Sequence, residues 1–136
     1  MNIKSTRDPR DEARKQIVRR AQELGKWETE VRKGGLGLAV LAILWPERLY
    51  GLEILRRLDS DAGMSIPEGT IYPLLSRMKA EGLVDSEWVE ADAGHPRKYY
   101  RLTDPGRRRV REMAQSWRAF AQGLERLLAP MDGDPK

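Results

Sequence analysis

Apolar residues recur along most of this chain at helical spacing, with one short interval of strand-like alternation. Residues 1–8 lack such a pattern and are expected to be disordered. Pro9 follows Asp8 as a first-turn proline follows an N-cap, and a charged helix is expected over 9–25, its narrow stripe being Ala13, Ile17, Ala21 and Leu24. Such a helix is either a solvated arm or docks on a second subunit. Leu36, Leu38, Val40, Leu41, Ile43 and Leu44 predict a buried helix over 31–45, ended by Pro46, despite Gly34, Gly35 and Gly37. Leu52, Ile54, Leu55 and Leu58 predict another over 50–60, and residues 61–63 a turn. Ile71, Leu74, Leu75 and Met78 fall at i, i+3, i+4 and i+7, predicting a third helix that opens at Pro67 or Glu68 and stops at Gly82.

The period then changes. Residues 83–89 and 97–102 read as two strands around a turn at 91–94. Tyr99 and Tyr100 point to opposite faces of the second strand, so one is core and the other outward; the sequence leaves open which. Thr103 as N-cap and Pro105 in the first turn open a long last helix, ended by Pro130. The fold class expected is mainly α with a small β-hairpin: a winged helix-turn-helix over 31–103, an N-terminal helical extension over 1–30 and a C-terminal helix over 104–130.

In that last helix Val110, Trp117 and Leu124 are spaced by seven, as are Met113, Phe120 and Leu127, and Ala114, Ala121 and Leu128. One face is apolar over nearly three heptads. It packs either on its own domain or on the same helix of a second subunit, and a dimer is the reading adopted, with Val110, Met113, Trp117, Phe120, Leu124 and Leu127 at the interface.

Charge sharpens the picture. The chain has 136 residues and a net charge of only +4, but residues 95–111 hold seven arginines and lysines against one acid, Asp104. A clustered basic segment is an electrostatic footprint for a polyanion. The third helix carries Thr70, Tyr72, Ser76, Arg77 and Lys79 opposite its apolar stripe. A polar, basic helix followed by a basic hairpin is what a winged helix presents to double-stranded DNA. There is no cysteine, hence no disulfide or thiolate chemistry. The lone histidine, His95, has no partner for a metal or a catalytic pair and reads as a turn residue. With no phosphate loop, nucleophile–base pair or metal spacing, neither an enzyme nor a cofactor is expected. No apolar run is long enough to span a bilayer and no signal peptide is evident, so a cytoplasmic protein is expected, without a membrane partner.

The segments YGLEILRRL at 50–58, GTIYPLLSRMKAEGLVDSEW at 69–88 and PRKYYRLTDPG at 96–106 resemble the PadR family of bacterial transcriptional regulators. The most specific motifs are G-T-x-Y-P-L-L at 69–75 and P-R-K-Y-Y-x-L-T at 96–103. The resemblance covers about residues 31–128 and implies the short subfamily, in which a single C-terminal helix dimerises; residues 1–30 exceed that pattern. It implies a dimeric repressor on a pseudo-palindromic operator. Thr70, Tyr72, Pro73 and Arg77 would meet the major groove and its phosphates, with Arg77 placed to bond a guanine and Lys79 adding charge. Tyr72 would contact a phosphate or a thymine methyl, the alternative being a rim residue packed against the second helix. Tyr50 would reach a phosphate or serve structure, and His95, Arg97 and Lys98 form the wing. The resemblance also implies a site for flat, hydrophobic aromatic effectors between subunits at Trp117, lined by Phe120, Ala121, Ala114 and Leu36; the alternative is that Trp117 is ordinary dimer core. The competing function is a winged-helix module that binds protein instead of DNA.

Overall fold

The computed structural model describes residues 8–90 and 94–133. The turn expected over 91–94 therefore lies, but for Gly94, outside the described residues, as do residues 1–7 of the expected disordered start. The chain divides into two compact units, one up to Gly35 and one from Leu36 onward.

A single helix, α1 (Pro9–Ile43), replaces the two expected over 9–25 and 31–45. Its start is as the sequence predicts: Pro9 opens it, and the Asp8 carboxylate accepts a hydrogen bond from the Arg10 backbone N–H at 2.9 Å. The Arg10 guanidinium beside Asp8 holds that carboxyl below its ordinary pKa. Glycine weakens a helix by about 1 kcal/mol but, unlike proline, breaks no backbone hydrogen bond. Local pairs span the interval between the two expected helices. The Thr29 hydroxyl donates to the Gly25 carbonyl at 2.8 Å, and Arg32 pairs with Glu28 at 3.2 Å. In the first unit Ile17, Val18, Leu24, Trp27 and Val31 are exposed.

The second unit is a winged helix. After α1 come β1 (Leu49–Tyr50), α2 (Gly51–Ala62), α3 (Glu68–Ala80), β2 (Val84–Glu90), β3 (Pro96–Leu102) and α4 (Asp104–Asp132). The sheet is antiparallel in the order β1-β3-β2. Two residues are too few for a periodic signal, so β1 was not legible; Leu49 pairs with Tyr100 and Tyr50 with Tyr99. The core joins Val40, Leu41 and Leu44 of the α1 end to Ile54 and Leu58, Ile71 and Leu75, and Val84, Tyr100 and Leu102. Tyr100 is thus the core member of its pair. Both α2 and α3 end on left-handed glycines, Gly63 (φ 64°) and Gly82 (φ 75°). Beyond each, the next N–H returns to the helix: Met64 to the Leu58 carbonyl and Leu83 to the Met78 carbonyl, both 2.9 Å.

Thr103 caps α4, its hydroxyl accepting from the Gly106 N–H at 3.0 Å and donating to the Gly82 carbonyl at 2.6 Å. That side chain joins the exit of the wing to the end of α3. Pro130 does not end α4, which continues to Asp132. A proline removes its own N–H and disfavours helix in the residue before it, but it does not stop the residues after it from staying helical.

Candidate nucleic-acid interface

The third helix turns its apolar stripe inward: Ile71, Leu74, Leu75 and Met78 are all buried. This leaves Thr70, Tyr72, Pro73, Ser76, Arg77 and Lys79 on the outer side, all exposed. Pro73 lies inside α3, where its missing N–H leaves the Gly69 carbonyl without a helical partner. Among the described residues Arg77 forms no side-chain hydrogen bond or ion pair, so its fork of donors is available to a ligand. Lys79 is committed: its ammonium donates to Ser86 Oγ at 2.7 Å and ties the end of α3 to β2.

The wing presents its cations on aromatic rings. The Arg97 guanidinium stacks on Tyr50, 4.6 Å from the ring centroid, and Tyr50 meets Tyr99 edge-on at 5.6 Å. Lys98 stands opposite Trp88 in the ladder, its ammonium 5.8 Å from the Trp88 and Tyr100 ring centroids. Arg48 lies over Tyr99 at 4.9 Å and is ion-paired with Glu87. These stacks hold long side chains in place without neutralising Arg97 or Lys98. Arg101, by contrast, is paired with Asp85 at 3.7 Å. His95 is exposed at the entry to β3.

Between α3 and the wing lies a cleft of about 430 Å³, lined by Tyr50, Gly51, Leu52, Tyr72, Trp88, Arg97, Lys98 and Tyr100. The cations along it are Arg97 and Lys98, and no acid lines it. Burial, and then the neighbouring Tyr72, raise the Tyr100 phenol above its ordinary pKa. Tyr72, Tyr50, Arg97 and Lys98, separate in the sequence, are thus brought to one cleft. Trp88, 68% exposed, belongs to it too. An aromatic on the polar face of an alternating strand was the signal that could have found it.

The last helix divides its residues differently from expectation. Val110, assigned to a subunit interface, is buried in the chain's own core, and Met113 packs against that core. Leu36, assigned to the aromatic ligand site, is core as well. The reason is geometric: the first turns of α4 pack against β3, and Val110 and Met113 join the core that the end of α1 also enters, so the heptad face begins as intramolecular packing. Beyond it Trp117 is 48% and Phe120 60% exposed, their ring centroids 6.1 Å apart, and Leu124, Leu127, Leu128 and Met131 are exposed too. Ala114 lines a separate cleft of about 850 Å³ with Trp45, Arg111 and Arg118, and Ala121 a third with Arg118 and Glu125; neither cleft is lined by Trp117. Arg107 and Arg111 flank the Trp45 ring at 4.7 and 5.1 Å, so part of the basic segment over 95–111 is structural.

Among the described residues no helix is long and apolar enough to cross a membrane, and no cluster of side chains suits a metal ion.

Comparison with known proteins agrees with this geometry. The profile of the transcriptional regulator PadR-like family matches residues 40–112. A PadR family transcriptional regulator of Eggerthella lenta is 36% identical, with a TM-score of 0.73, the alignment covering 82% of this chain and 96% of that one. The transcriptional regulator Rv3488 of Mycobacterium tuberculosis is 32% identical over 83 residues, 61% of this chain and 76% of that protein. Bacillus subtilis PadR in complex with operator DNA aligns at 26% identity and TM-score 0.55, over 58% of this chain and 46% of that one.

Proposed function

Because the chain belongs to the PadR-like family of transcriptional regulators, we propose that it is a cytoplasmic, dimeric repressor that grips operator DNA with α3 and the β2–β3 wing. The observation that carries this reading is the unpaired Arg77 on the exposed side of α3, together with Arg97 and Lys98 along an acid-free cleft beside it. Thr70, Pro73 and Arg77 face the major groove, with Arg77 on a guanine edge. Tyr50, Tyr72, Arg97, Lys98 and His95 engage the backbone and fix register, and Lys79 adds charge from its place against β2. Residues 31–103 form the DNA-binding domain, residues 104–130 the dimerisation helix and residues 1–30 an N-terminal extension.

The exposed face Trp117, Phe120, Leu124 and Leu127 pairs with the same face of a second copy, which sets two half-sites about one helical turn apart on a pseudo-palindromic operator. The tilted Trp117–Phe120 pair supports a second element of the reading. A planar hydrophobic compound taken up between the copies, beside Ala121, shifts the half-site spacing and releases the operator.

The test is fluorescence anisotropy with the DNA upstream of the protein's own gene, over a salt series, against random DNA. Each phosphate neutralised contributes about −0.9 to the slope of log affinity against log salt. Specific binding with a steep slope is expected. Weak, salt-insensitive binding to both DNAs would instead favour a module that binds protein.

A further inference from the structure

Gly51 opens α2 and is buried, yet it is not among the glycines with positive φ. Its backbone is one that alanine adopts, and glycine weakens a helix relative to alanine. The use of glycine here is therefore steric. A Cβ built at position 51 would lie 2.5 Å from Tyr72 Cε1, 2.6 Å from its hydroxyl oxygen and 2.8 Å from Cζ. The Tyr72 ring occupies the volume that any other side chain at 51 would fill.

We propose that Gly51 is a positioning residue for the DNA interface: it seats the Tyr72 ring against the start of α2, so that Tyr72 acts as a sequence-independent phosphate contact in the cleft and not as a base reader. The inference rests on the DNA-binding reading and deepens it. Tyr72 projects from the helix expected in the major groove, but its ring is turned toward α2. Tyr72, Arg97 and Lys98 line one cleft, where two cations and the Tyr72 phenol suit a backbone phosphate. Base reading then falls to Thr70, Pro73 and Arg77. The obstructing atoms all belong to the far end of one side chain, so alanine at 51 swings the ring away without forcing the backbone apart.

The experiment is a double-mutant cycle on Gly51→Ala and Tyr72→Ala, read by anisotropy on operator and random DNA, with circular dichroism for the fold. Gly51→Ala is expected to weaken binding to both DNAs by the same factor, roughly ten- to a hundredfold, the size of one lost hydrogen bond to a charged group. In the Tyr72→Ala background it should cost nothing further. A DNA-independent readout is the ultraviolet titration of tyrosine: with Tyr72 displaced, the Tyr100 phenol ionises at lower pH than in the wild type. An undiminished cost in the Tyr72→Ala background, or wild-type affinity and titration in Gly51→Ala, overturns the proposal. So does a loss confined to operator DNA, which would make Tyr72 a base reader. If Gly51→Ala unfolds the chain, the double variant should regain the fold; a double variant that stays unfolded also overturns it. Should the wild type bind no DNA at all, the DNA reading and the phosphate role fall, while a lowered Tyr100 titration still upholds the seat.

Discussion

Gly106→Ala is expected to cost this protein far more than its chemistry suggests. Gly106 is buried in the first turn of α4 with no positive φ, so alanine suits the backbone and would gain about 1 kcal/mol of helix propensity. Space forbids it. An added Cβ would collide with the backbone carbonyl of Leu83, which no change of rotamer relieves. That carbonyl accepts from the Thr103 N–H at 3.1 Å, and the Thr103 hydroxyl donates to the adjacent Gly82 carbonyl at 2.6 Å. Moving α4 off the α3–β2 corner strains both bonds. Overpacking costs about 1–3 kcal/mol and each hydrogen bond about 1 kcal/mol, so the net destabilisation, after the gain in propensity, is roughly 2–4 kcal/mol. For a unit of this size each kcal/mol lowers Tm by about 4–8 °C, so the loss is roughly 10–30 °C. The assay is thermal unfolding followed by circular dichroism at one fixed protein concentration, since dimerisation would make Tm concentration-dependent. Gly123→Ala, in the same helix, is the control. Its Cβ would meet only an ordinary contact, Arg126 Nη2 at 3.7 Å, so the same propensity gain of about 1 kcal/mol is unopposed and is expected to raise Tm by about 4–8 °C. A Gly106→Ala protein that melts at or above the wild-type temperature would refute the close seating of α4 on that corner.

Two further outcomes bear on function. Arg77→Ala should weaken operator binding by about 1–3 kcal/mol and relax base preference at one position; an equal loss on operator and random DNA would make Arg77 a phosphate contact instead. Trp117→Asp should split the dimer, because it places a charge in the middle of the exposed apolar face of α4, and an unchanged sedimentation mass would rule that face out as the interface.

The sequence by itself determined the helices and hairpin that make up the winged helix and which face of α3 is buried. Ile71, Leu74, Leu75 and Met78 recur at helical spacing, and that repeat alone decides which side of α3 is buried and leaves Thr70, Arg77 and Lys79 outward. Thr103 and Gly82 act through bonds to their near neighbours in the chain, so their capping roles were readable too. The family was legible for the same reason: its motifs are local runs of residues, and the matching region lies within the resemblance they suggested.

What only the tertiary structure decided are the matters that depend on distant partners. The length of α1 turned on whether local pairs could carry a helix past its glycines, a balance of small terms that spacing does not reveal. β1 exists because β3 offers a free edge to Leu49 and Tyr50. Alternation put Tyr99 and Tyr100 on opposite faces, but only the packed helices made Tyr100 the buried one. Val110 and Leu36 are apolar at plausible interface positions, and their burial within the chain follows from where α4 and α1 meet the same core. Gly51 is the sharpest case. Nothing in its neighbours distinguishes it from a poor helix start, and its purpose is visible only when the Tyr72 ring, 21 residues away in the sequence, is found in the space a side chain would need.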